Sequence, residues 1–81
     1  MLAEVIRGKL AARPFEPFLI RMNDGREFRV PHPDFADVSP RGRVVVVYDR
    51  RDALMELSSL LVASVEPLPP EDPRAAHQKG R

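Results

Sequence analysis

The sequence predicts a mainly β domain: an N-terminal α-helix, then five antiparallel strands in a strongly bent sheet or small barrel. Three observations carry this reading. Apolar residues from Leu2 to Leu10 recur at helical spacing, and Pro14 follows. After Pro14 the apolar period changes to two. Turn-forming residues then interrupt the chain at short intervals, as strands joined by tight turns require.

Leu2, Val5, Ile6 and Leu10 share one helical face, with Glu4, Arg7 and Lys9 largely on the others. Pro14 ends the helix because its ring pushes the preceding residue out of the α region. About three turns are too few to persist alone in water, so the apolar stripe must lie on something.

Phe18, Ile20 and Met22 alternate with Leu19 and Arg21, and Phe28 and Val30 alternate with Glu27 and Arg29. Asn23-Asp24-Gly25 between them signals a hairpin, and parity sets its loop. A two-residue turn would put Met22 opposite Glu27 and mix apolar with charged residues on one face. A three-residue loop with Gly25 left-handed pairs Ile20 with Phe28 and Phe18 with Val30. It also sets Arg21 opposite Glu27 on the outer face, a favourable cross-strand pair.

Pro31-His32-Pro33 cannot continue a central strand, since proline lacks the ladder donor. A short helical turn is expected at Asp34–Ala36, and Ser39-Pro40-Arg41-Gly42 is a further turn. Val44–Tyr48 is a strand by its branched side chains. Asp49–Ala53 loops back to Leu54–Leu57. An odd-length loop pairs Val47 with Met55 and Val45 with Leu57, making one apolar face. The other face carries Val44, Val46, Tyr48 and Leu54 beside Glu56, and the helix is expected to cover part of it. Ser58-Ser59 is a break that caps a helical turn at Leu60. In the last strand Leu61, Ala63 and Val65 alternate with Val62, Ser64 and Glu66. The domain is expected to span residues 1–68, with residues 69–81 a disordered tail of proline, charge and glutamine.

A chain of 81 residues has room for one domain. Its core supplies only ~3–5 kcal/mol of net stability. Having no cysteine, it forms neither disulfides nor thiolate metal sites. Glu4, Arg7, Lys9, Arg13 and Glu16 break any signal-peptide core, and the apolar run Val44–Tyr48 is far short of the ~20 residues of a membrane span. A cytoplasmic location without membrane contact is expected. Up to Leu68 ten basic residues balance ten acidic ones, so the domain lacks the broad positive field of a non-specific nucleic-acid binder.

The chemistry is sparse, and neither a cofactor nor a small-molecule substrate is implied. His32 with Asp34 and Asp37 is the one cluster able to offer metal ligands, and both residue types are ordinary turn formers. Ser39, Ser58, Ser59 and Ser64 belong to no nucleophile motif and read as turn and cap residues. Glycines 8, 25, 42 and 80 are isolated, so no phosphate-cradling loop exists. Asp24/Glu27 and Asp49/Asp52 bracket hairpin loops, where exposure should keep their pKa values ordinary. Arg41, Arg43, Arg50 and Arg51 flank the two ends of the Val44–Tyr48 strand, and Arg26 and Arg29 lie by the first hairpin. An RNA-binding surface would draw on Arg26, Arg41, Arg43, Arg50 and Arg51. Their neighbours Asp24, Glu27, Asp49 and Asp52 cancel much of that field.

Asn23-Asp24-Gly25-Arg26-Glu27-Phe28, with Leu61–Val65 as the closing strand, resembles the Sm-like version of the SH3-type small barrel over residues 2–68. Pro14-Phe15-Glu16-Pro17-Phe18, His32-Pro33-Asp34-Phe35 and Val65-Glu66-Pro67-Leu68 are similar to a small bacterial family of uncharacterised proteins, which brings no activity with it. Sm proteins bind uridines through an Asp-x-Asn-type motif and a basic glycine motif near the last strand. Here those regions read Phe35-Ala36-Asp37-Val38 and Leu61-Val62-Ala63-Ser64-Val65, so the resemblance implies a shape and no RNA site. Two functions follow as expectations. One is a non-catalytic interaction module that binds a protein partner, or itself as a homo-oligomer, through strand edges. The other is an RNA-binding protein using the loop arginines.

Overall fold

The computed structural model describes residues 2–68; the tail expected over 69–81 lies outside the described residues. Helix α1 spans Leu2–Ala11, followed by strands β1 (Phe18–Met22), β2 (Glu27–Val30), β3 (Ala36–Val38), β4 (Val44–Tyr48), β5 (Leu54–Ser58) and β6 (Val62–Pro67). Single 3-10 turns at Pro33–Phe35 and Ser59–Leu61 precede β3 and β6. All pairings are antiparallel, in two three-stranded sheets ordered β2-β1-β6 and β3-β4-β5.

The mainly β class with its leading helix stands. Five strands in one bent sheet or barrel become six strands in two sheets. The extra strand is Ala36–Val38, which pairs with β4 from Ala36↔Val47 to Val38↔Val45. Three residues are too few to show a period, so Asp37 between two apolar neighbours reads as loop. The expected helical turn sits one residue earlier, with Pro33 at its first position and Ala36 already extended at φ −152°. The proline-rich link keeps β2 from running on into β3, which separates the sheets.

Both hairpins have the expected register: Phe18↔Val30, Ile20↔Phe28 and Arg21↔Glu27 in the first, Val45↔Leu57 and Val47↔Met55 in the second. Gly25 takes φ +92°, and the Met22 N–H donates to the Arg26 carbonyl at 2.8 Å, closing a three-residue loop. In the second loop the Asp49 N–H donates to the Ala53 carbonyl, and Asp49 Oδ1 accepts from the N–H groups of Arg51 and Ala53. Asp52 occupies the left-handed region there, at φ +68°.

The last strand departs from simple alternation. Its pairing with β1 slips between Arg21↔Ser64 and Met22↔Val62, leaving Ala63 as an extra residue. That bulge brings Val62 and Val65 to the same side of the sheet, against the core, and leaves Leu61 and Ala63 exposed.

Helix α1 buries Ala3 and Ile6, with Leu2 and Leu10 packed beside them, while Val5 faces outward. Its main contacts are with β3 and β6 rather than with the outer face of β4 and β5 that it was expected to cover. Two features fix it there. Arg7 Nη2 donates to the Ser39 carbonyl at 3.1 Å, and Gly42 (φ +75°) lies so close beneath that a Cβ would stand 3.4 Å from that of Ala3. The core between helix and sheets is centred on Phe18, Ile20, Met22, Val30 and Val45.

Candidate functional site

Charge and polarity are spent mostly on local structure. Ser39 Oγ accepts from the N–H groups of Arg43 and Val44, closing the turn into β4. Ser58 Oγ accepts from the Leu60 N–H, capping the second 3-10 turn, and Ser64 donates to Glu66. His32 is exposed, its ring tilted against Phe35 with centroids 6.0 Å apart. Among the described residues no three His, Asp or Glu side chains gather to hold a metal ion.

The loop arginines do not form one surface. Arg41 and Arg43 precede β4, and Arg50 and Arg51 follow it, so about 17 Å of strand separates the pairs. Arg26 is engaged: its Nε donates to Asp24 Oδ2 at 2.8 Å, and its guanidinium lies 5.7 Å from the centroid of the Phe28 ring. Arg29, Arg41, Arg43, Arg50 and Arg51 are exposed and form no ion pair with a described residue.

One charge network crosses a whole sheet. Arg21, on the central strand β1, pairs with Glu27 on β2 and, at 3.2 Å, with Glu66 on β6. The first partner follows from hairpin parity, whereas the second is 45 residues away and gives no local signal. Hydrogen bonds from Arg21 first, then Ser64, hold the Glu66 carboxyl below its ordinary pKa. Asp24 also departs from the expected ordinary value, lowered chiefly by the backbone N–H of Arg26. A depressed carboxylate contributes stability that is present above its unfolded pKa and lost as pH falls through its folded one. Stability is therefore expected to hold from pH 7 to about 5 and to decline below about pH 4. Urea midpoints across this range check it, and Arg21→Gln should shrink the decline. An unchanged acid limb in that variant would count against the network.

Exposed large apolar residues lie on β5 and in the 3-10 turn that follows it. β5 is an edge strand, and all its residues but Leu57 are exposed. Leu54 is 51% exposed, Leu61 50% and Leu60 79%. The opposite sheet's edge strand β2 is short, carries Glu27 and Arg29 outward, and runs into Pro31, all features that discourage further pairing. Comparison with protein-family models, curated proteins and solved structures finds no match.

Proposed function

We propose that this chain is a non-catalytic interaction module that pairs through the free edge β5, with a second copy or with another protein chain. The carrying observation is an edge strand that no other described strand pairs on its outer side, with Leu54 on its outer face and Leu60 and Leu61 exposed in the turn that follows. Unpaired backbone donors and acceptors supply affinity in strand addition, and neighbouring apolar side chains supply selectivity. A two-fold pairing of β5 with itself would use the same patch on both copies. The non-catalytic reading draws support from the titratable groups. Those with displaced pKa values, Arg21, Asp24 and Glu66, are solvent-facing and matched by partners on strand surfaces and turns instead of converging in a cleft. A cytoplasmic site of action belongs to the same proposal; no helix among the described residues is long and apolar enough to cross a membrane.

Light scattering after size-exclusion chromatography tests the self-pairing form. A concentration-dependent dimer is expected, and Leu54→Lys should return it to monomer while leaving the fold intact. A strict monomer at high concentration removes self-pairing. A salt-sensitive gel shift with single-stranded RNA, lost on replacing Arg41, Arg43, Arg50 and Arg51, would favour the RNA reading instead.

A further inference from the structure

The ladder between β4 and β5 decides which backbone groups of the edge strand face outward. The Asp49 N–H donates to the Ala53 carbonyl and the Ser59 N–H to the Arg43 carbonyl, and both pairs continue the β4–β5 register. Hydrogen-bonded pairs recur at every second residue of an antiparallel ladder, so Met55 and Leu57 exchange their bonds with Val47 and Val45. Leu54, Glu56 and Ser58 therefore turn their N–H and C=O groups away from β4. Their side chains share the outer face of the strand.

Bonding groups on alternate residues restrict how a second copy can pair with this edge. Antiparallel pairing about a two-fold axis sets outward residues opposite outward residues, so the axis passes through a residue of the strand. An axis through either end residue, Leu54 or Ser58, leaves a single outward pair within the strand. An axis through Glu56 puts two carboxylates directly opposite each other, which is unfavourable. An axis through Met55 sets each Leu54 against the partner's Glu56 and leaves Ser58 unused. An axis through Leu57 sets each Glu56 opposite the partner's Ser58 and brings Leu54 to the turn that carries the partner's Leu60.

The last arrangement is complementary at each position. Ser58 Oγ accepts from the Leu60 N–H, so its hydroxyl proton is available to donate to the partner's Glu56. Glu56 pairs with no described cation and can accept it. Leu54 and Leu60, 51% and 79% exposed, cover each other. The edge thus supplies its own complement, which selects a second copy of this chain as its occupant.

We infer that β5 pairs with β5 of a second copy about a two-fold axis at Leu57, with Glu56 opposite the partner's Ser58 and Leu54 against the partner's Leu60. The inference rests on the strand-pairing proposal above and adds to it the identity of the partner and the register.

The chain has no cysteine, so single-cysteine variants report the register without background. Glu56→Cys and Ser58→Cys, both at exposed positions, are mixed at a concentration where light scattering shows dimer, and are oxidised with diamide. Directly opposite hydrogen-bonded residues have Cα atoms about 5.5 Å apart, within reach of a disulfide, whereas diagonal neighbours lie beyond it. A mixed disulfide is expected from the two variants together, and neither should cross-link alone. Leu60→Lys, in the otherwise unaltered chain, is expected to dissociate the dimer as Leu54→Lys does, with the urea midpoint unchanged. A dimer that gives no mixed disulfide, that cross-links through Glu56→Cys or Met55→Cys with itself, or that survives Leu60→Lys overturns the register and leaves strand pairing standing. A strict monomer overturns both.

Discussion

Phe18→Ala is expected to leave the chain mostly unfolded at room temperature. Phe18 is fully buried on the central strand β1, where it pairs with Val30 on one side and Pro67 on the other. Phe15 packs against its ring, tilted, with centroids 6.0 Å apart, and Lys9 approaches the ring from the helix. Removing a buried phenylalanine costs about 3–5 kcal/mol, the lost transfer energy plus the cavity left behind. A domain this small has only ~3–5 kcal/mol in hand. The two figures are comparable, so one substitution consumes the whole margin. Far-UV circular dichroism and proton shift dispersion read the result directly. Phe15→Ala, at a half-buried position on the same contact, should be milder. A cooperative transition for Phe18→Ala with a near-normal urea midpoint would show that the core is not organised around β1.

Much of this core was readable from parity alone. Once Asn23-Asp24-Gly25 is taken as a three-residue loop, the apolar residues of both strands fall on one face, and Arg21 meets Glu27 without further assumption. The same logic fixes Val45 and Val47 against Leu57 and Met55. Parity fails where the chain breaks period. The bulge at Ala63 moves Val62 inward, and nothing in Leu61-Val62-Ala63-Ser64-Val65 distinguishes that from plain alternation. Strand β3 escapes for another reason: its three residues are too few to show a period, and only the hairpin ladder to β4 makes them a strand.

The candidate surfaces were less legible than the fold, and for a related reason. Leu54-Met55-Glu56-Leu57 looks like any half-buried strand. Its exposure follows from β5 being an edge, which depends on how the sheets are ordered. The cleft lined by Phe28, Phe35, Val47 and Met55 lies between β2 and the β4–β5 hairpin, which belong to different sheets, so it too depends on how the sheets are arranged. Arginine positions could be read from the sequence, but their engagement could not. Arg26 pairs with Asp24 across a tight turn, while Arg29 and Arg50 pair with no described carboxylate.

Ile6→Ala should produce the second large loss, and it should change association in the direction opposite to Leu54→Lys. Ile6 is fully buried, and with Ala3 it is the helix's main anchor in the core. Truncation there costs about 2–5 kcal/mol. A ten-residue helix has no stability of its own to offset that cost, so loss of the anchor means loss of the helix. Because α1 rests mainly on β3 and β6, the outer strands of both sheets, undocking it bares two more unpaired edges. Ile6→Ala is therefore expected to lower the urea midpoint, weaken the helical dichroism signal and raise the scattering mass at intermediate urea. Leu54→Lys, by contrast, should leave stability nearly unchanged and lower the scattering mass. If Ile6→Ala keeps its helix signal and loses under about 1 kcal/mol, α1 is not the cover of these edges. If both variants move association the same way, β5 is not the pairing edge, because only one of the two substitutions adds exposed strand.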